Sequence, residues 1–150
     1  MFLKTLTQSA FALIAATAFA APAFAGDCPA GKMGTNPLAN HPTEGKAVTD
    51  NVIGLVELDR EIGVADRQLR TRMLVVQPGG VVPWHSHADR PALIYTLSGA
   101  ITEYRSSCTV PIEHSAGDIS READGIAHYW INNGSVPAVL LSSDVHHGSM

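Results

Sequence analysis

The stretch GGVVPWHSHADRPALIYTLSG (Gly79–Gly99) holds the residues from which both the fold and the chemistry can be read. His85 and His87 are separated by one residue. Alternate side chains of a strand leave on the same face, so a strand here sends both imidazoles one way and Trp84 and Ser86 the other. Pro83 lacks a ladder donor and marks an edge or a strand end. Two nitrogens on one face are part of a metal site, but a histidine pair on a strand is also an ordinary solvated feature, so the pair alone does not establish one.

Outward from this stretch, short β-branched runs follow one another from Val52 onward: VIGLVEL, LRTRMLVV, VVPWHSH, ALIYTL, AITEYRS, VPIEH, GDIS, IAHYWI and PAVLLSS. They are separated by PGG, SG, AG, DG and NNGS, which are turn signals. No helical period persists, so the pattern predicts an all-β domain, an antiparallel sandwich or barrel, over residues 51–150. Residues 26–50 are rich in Gly, Pro, Asn and Thr without an apolar period and read as an extended arm.

Two stretches together point to a family. Gly79, His85, His87 and Gly99 fall at the intervals of G-x5-H-x-H-x(3,4)-E-x6-G, and Gly117, Gly125, His128 and Asn132 at those of G-x5-P-x-G-x2-H-x3-N, with Ala123 at the proline position. These paired motifs resemble those of the cupin superfamily. The resemblance is close over residues 79–132 and implies a small double-stranded β-helix, a jelly-roll-like barrel with both motifs inside, and a single-barrel monocupin. It further implies a divalent first-row metal (Fe, Mn, Zn, Ni or Cu) held by His85, His87 and His128.

The departure from the family pattern is Ala92, which stands where the motif has glutamate. Three neutral imidazoles still suffice to hold a metal and leave open positions. Loss of a negative charge makes such an ion more electrophilic and favours an anionic ligand. The three-histidine set resembles that of the thiol dioxygenases among the cupins, which implies an oxygenase acting on a small thiolate, carboxylate or enolate. The alternatives are a non-catalytic metal-binding or small-ligand-binding cupin, and a barrel that kept its fold and lost its metal. Asp89, in the turn after His87, and Glu103, on the strand after Gly99, are candidates to fill the vacancy, and each is otherwise a solvated acid. Arg90 is a candidate substrate anchor and Trp130, on His128's face by alternation, a candidate pocket wall. Arg70 and Arg72 alternate before PGG, where one of them can point inward. His41, His114, His146 and His147 have no partners at useful spacing and read as surface residues.

Residues 1–25 carry one cation, Lys4, then an apolar run broken by Pro22 and small residues, then Ala23-Phe24-Ala25, which is the pattern of a secretory signal rather than a membrane span. Cleavage there leaves an acidic chain destined for the bacterial periplasm, with no membrane attachment. Cys28 and Cys108 would then meet an oxidising compartment, where an even count predicts one bridge, with two free buried thiols as the alternative. For the 150 residues as a whole the formal charge of −4 excludes the broad basic face of a nucleic-acid-binding module. The partners expected are a small-molecule ligand or substrate and a second copy of the chain, paired through sheet edges.

Overall fold

The β-branched runs become strands, and the Gly- and Asn-bearing segments between them become the turns. The computed structural model describes residues 26–36, 38 and 40–148. The expected leader, residues 1–25, lies outside them. The elements are β1 (Lys46–Glu57), α1 (Leu58–Ile62), β2 (Arg67–Ser86), β3 (Ala92–Ser98), β4 (Ala100–Arg105), β5 (Ile112–Ser115), β6 (Ile119–Glu122), β7 (Ala127–Ile131) and β8 (Ala138–His147). All strand pairings are antiparallel, in the order β5-β4-β7-β2-β8-β3-β6, with β1 paired to β2 alone. The eight strands roll into a nearly closed all-β barrel.

Two local expectations are corrected. PGG does not end a strand: β2 runs through it for 20 residues. Gly79 takes φ 72°, a region open to glycine without strain, and the chain bends there instead of reversing. Before the bend β2 pairs with β8 (Arg67–Val76), and after it with β7 (Val81–Ser86). The bend therefore carries one strand from one part of the barrel wall to the other. The second correction is α1, a single turn too short to leave a period in the sequence, which ends at Gly63 in the left-handed conformation. The arm also becomes a strand earlier than its expected boundary, since β1 begins at Lys46.

The interior divides into two ends. Leu74, Val76, Ile94, Ile101, Trp130, Ala138 and Leu140 form the apolar core. Each fully buried aliphatic or aromatic side chain contributes roughly 1.5–3 kcal/mol, so this end carries most of the fold's stability. Along β8 the buried face then changes from Ala138 and Leu140 to Ser142 and Asp144. The other end of the barrel is correspondingly polar, and the histidines lie there. The arm is tied down by a Cys28–Cys108 disulfide with Cα atoms 5.7 Å apart. Backbone bonds from Gly34 to Ser107 and Asn36 to Ser106 run beside it.

Candidate metal centre

β2 supplies His85 and β7 supplies His128, which are direct register partners in the antiparallel pair, while His87 follows the last residue of β2. The ring centroids of the three imidazoles lie 4.5–4.9 Å apart. Each ring is oriented from behind. His85 Nδ1 donates to the Pro83 carbonyl at 2.8 Å and His87 Nδ1 to the Arg90 carbonyl at 2.7 Å. His128 Nδ1 donates to Glu103 Oε1 at 2.6 Å. A carbonyl or carboxylate only accepts, so each Nδ1 carries the proton and each Nε2 presents a lone pair.

Those lone pairs converge. His85 Nε2 and His128 Nε2 are 3.1 Å apart, and His87 Nε2 is buried without a hydrogen-bond partner among the described residues. Two nitrogens that share one zinc ion at about 2.0–2.1 Å are separated by roughly 3 Å, so the observed spacing fits a common ion. Burial, then the neighbouring His128, pulls the His85 pKa down to about 3, and the same two causes pull His87 to about 4. Both rings are thus neutral near pH 7, the state in which imidazole ligates a metal.

The candidate carboxylates do not join them. Asp89 faces solvent, with its oxygens on Arg67 at 2.7 Å and His147 at 2.5 Å. Glu103 is fully buried but stands behind His128. Its carboxylate receives four donors: Arg105 Nε at 2.8 Å, Arg105 Nη2 at 2.9 Å, His114 Nε2 at 3.0 Å and His128 Nδ1. Burial pushes Glu103 up, but the bonds from His114, His128 and Arg105 outweigh it and hold the carboxylate below its usual range. Burial and the Glu103 charge push the adjacent Glu122 up. Glu103, Glu122 and His128 also bring ligand atoms within 4.8 Å of one another. That cluster is already occupied by Arg105, which bonds both carboxylates, and by the His128 proton.

His114 corrects the expectation of a surface histidine: it is buried, bonded to Glu103, with its ring 4.6 Å from Trp130. His41 stacks on Trp84 at 4.4 Å, outside the site. Trp130 is buried edge-on against His128, and with Arg90, Arg72 and the apolar Leu74, Ile94 and Leu140 it lines a cavity of about 200 Å³ onto which His85 and His87 open. The expectation that one of Arg70 and Arg72 points inward is corrected: two residues apart on β2 they share a face, and both reach the buried Asp144, although only Arg72 lines the cavity. Ala92 is buried as the motif position requires, and its β8 register partner is Asp144, whose carboxylate is bonded by Arg70, Arg72 and Arg90. Asp144 was legible from the alternation Leu140, Ser142, Asp144, which sets it on the inner face.

A cupin-domain family model matches residues 72–144. Among curated proteins, the chain is 37% identical over 73 residues to a germin-like protein 5-1 of Oryza sativa subsp. japonica, covering 45% of this chain and 32% of that one. It is 30% identical over 84 residues to the auxin-binding protein ABP19b of Prunus persica, covering 54% and 40% respectively. The chain spans between a third and two fifths of the length of these relatives. Among solved structures, it is similar to a predicted oxalate decarboxylase of Thermotoga maritima at TM-score 0.54 and 16% identity, over 76% of this chain and 99% of that one. It is also similar to a conserved protein with a double-stranded β-helix domain from Klebsiella pneumoniae at TM-score 0.51 and 19% identity, over 77% and 84%. At these identities the structural likeness concerns the fold: the barrel is a double-stranded β-helix.

Proposed function

The chain belongs to the cupin superfamily through residues 72–144, and on that premise we propose that it is a divalent-metal cupin whose His85, His87 and His128 hold the ion and whose activity is directed at a small anionic substrate. The observation that carries this reading is the set of three imidazoles, each fixed through Nδ1, with Nε2 atoms converging and one of them buried and unpartnered. A buried imidazole nitrogen without a partner costs free energy, which a bound ion removes. When bound, the ion supplies Lewis acidity and, if it is iron, activation of a ligated substrate toward dioxygen. The chain's own residues divide the remaining work. Glu103 fixes the His128 tautomer, the Pro83 and Arg90 carbonyls fix the other two, and Trp130 with the apolar wall limits water in the cavity.

The test is metal stoichiometry followed by oxygen uptake. Protein loaded anaerobically with ferrous iron is expected to bind one ion per chain and to consume oxygen with a member of a panel of thiols, enols and carboxylates. A failure to bind any first-row metal ends the proposal. Metal binding without turnover moves it to the second reading, a non-catalytic ligand-binding cupin, which the auxin-binding name of one relative favours.

We propose a location outside the cytoplasm, which the Cys28–Cys108 bridge supports because it belongs to an oxidising compartment, and specifically the bacterial periplasm, which the leader-like residues 1–25 support. A second copy is proposed along β1, which pairs only with β2 and exposes Val52, Ile53, Leu55 and Val56. Sedimentation analysis is expected to give a dimer.

A further inference from the structure

We propose that the cavity in front of the three histidines is a carboxylate site, in which Arg72 and Arg90 grip the ligand and Asp144 is the positioning residue that holds both guanidiniums in the wall. This deepens the reading above, on which it rests for the ion, by naming the chemical class of ligand.

The buried Asp144 carboxylate serves three arginines. Arg70 takes both oxygens, Nε to Oδ1 at 3.0 Å and Nη2 to Oδ2 at 2.8 Å, Arg90 Nη1 reaches Oδ2 at 3.0 Å, and Arg72 Nη2 stands 3.4 Å from it. Arg72 Nη1 pairs with Asp50 at 2.5 Å. Among these side chains three guanidiniums stand against two carboxylates, which leaves one positive charge uncompensated.

The donors are partly unspent. Arg72 Nη2 also bonds Ser142 Oγ at 3.2 Å, but Arg72 Nε is buried without a partner among the described residues, and the side-chain hydrogen bonds of Arg90 there are confined to Nη1, which leaves its Nε and Nη2 for a ligand. Arg70, by contrast, is engaged in fork geometry with Asp144 and does not line the cavity. A planar guanidinium fork matches a planar carboxylate. The apolar part of the lining, Leu74, Ile94 and Leu140, receives a short apolar body.

Ala92 is buried and paired across β3–β8 with Asp144, so a longer acid at this position would place its own carboxylate beside the arginines and compete with the ligand.

The experiment is isothermal titration with malonate and its neutral diamide, malonamide, on apoprotein and on zinc-loaded protein. Wild type is expected to bind malonate at least about tenfold more tightly than malonamide in both forms. The double variant Arg72→Gln, Arg90→Gln is expected to lose about tenfold or more of the malonate affinity while retaining one zinc per chain. Equal affinity for the two probes in apoprotein, or unchanged malonate binding by the folded double variant, overturns the proposal. Failure of wild type to take up zinc defeats the metal reading alone, since the apoprotein arm still decides the anion site. Ala92→Glu removes dependence on the folding of the double variant: it is expected to weaken malonate binding by about tenfold or more, and an unchanged affinity overturns the proposal.

Discussion

His128 separates two groups of buried polar side chains, one sealed in the barrel wall and one facing a cavity. Behind the ring, Glu103 collects four donors from Arg105, His114 and His128, and Arg105 also reaches Glu122 and Ser120, while His114 Nδ1 and Glu122 Oε2 are left without hydrogen-bond partners among the described residues. In front of it, His87 Nε2 and Arg72 Nε also lack partners among the described residues, but His85, His87, Arg72 and Arg90 line the cavity. Buried polar groups are normally satisfied. A group whose carboxylates and guanidinium compensate one another away from the cavity does structural work, whereas one that faces the cavity is arranged for something that the protein binds. The same ring belongs to both, so its Nδ1 side sets the direction of its Nε2 side.

The largest expected effect breaks the front group. His128→Ala should abolish stoichiometric metal binding, measured by elemental analysis after dialysis, and full retention would contradict the ligand assignment. Next comes the group behind. Glu103→Gln leaves the buried Arg105 without its main counter-charge and should cost about 3–5 kcal/mol in denaturant unfolding, with metal affinity reduced about 10–100-fold. A cost below about 1 kcal/mol would mean that Glu103 does not compensate Arg105 as described.

A pH series sharpens the comparison further. His85 and His87 have folded pKa values of about 3 and about 4 against 6.5 for the free side chain. Their unfolded forms therefore bind more protons between those limits, and apoprotein stability is present in full above pH 6.5 and declines as pH falls toward 4. Metal affinity follows the folded values instead: protons compete for Nε2 of His87 and His85 only as pH nears about 4 and about 3, so binding should weaken later in the acid series than stability does. The exposed His147 acts with opposite sign, because its bonds to Asp66 and Asp89 raise its pKa and favour the folded state at low pH. Thermal melts of His147→Gln and wild type separate the two contributions. The smallest effect is expected at Asp89→Asn: metal stoichiometry should be unchanged, since the Asp89 carboxylate lies on the outer surface. A lost ion would return Asp89 to the site.

The strand series and the shared face of His85 and His87 were legible from a period of two, and the disulfide from cysteine parity, all of them local or countable. The juxtaposition of His128 with that pair was implied only by the resemblance of the paired motifs to those of cupins. The burial of His114 was not legible. Its isolation in sequence gave no sign that β5 would lay it against Glu103 of β4 and Trp130 of β7. The continuity of β2 through PGG was equally hidden, because the same residues permit a reversal or a bend, and only the competing pairings with β7 and β8 select the bend.

The sequence by itself determined an all-β domain, a sandwich or barrel, with His85 and His87 on one strand face and no glutamate at position 92, and its paired motifs added, by resemblance to cupins, a closed barrel with His128 beside them. Tertiary structure decided where the remaining charges went. Asp144 faces Ala92 across two strands far apart in sequence, and three arginines converge on it from β2 and from the segment before β3. Charge pairing acts over a few ångströms in a poorly screened interior, and which charges come that close is fixed by strand register.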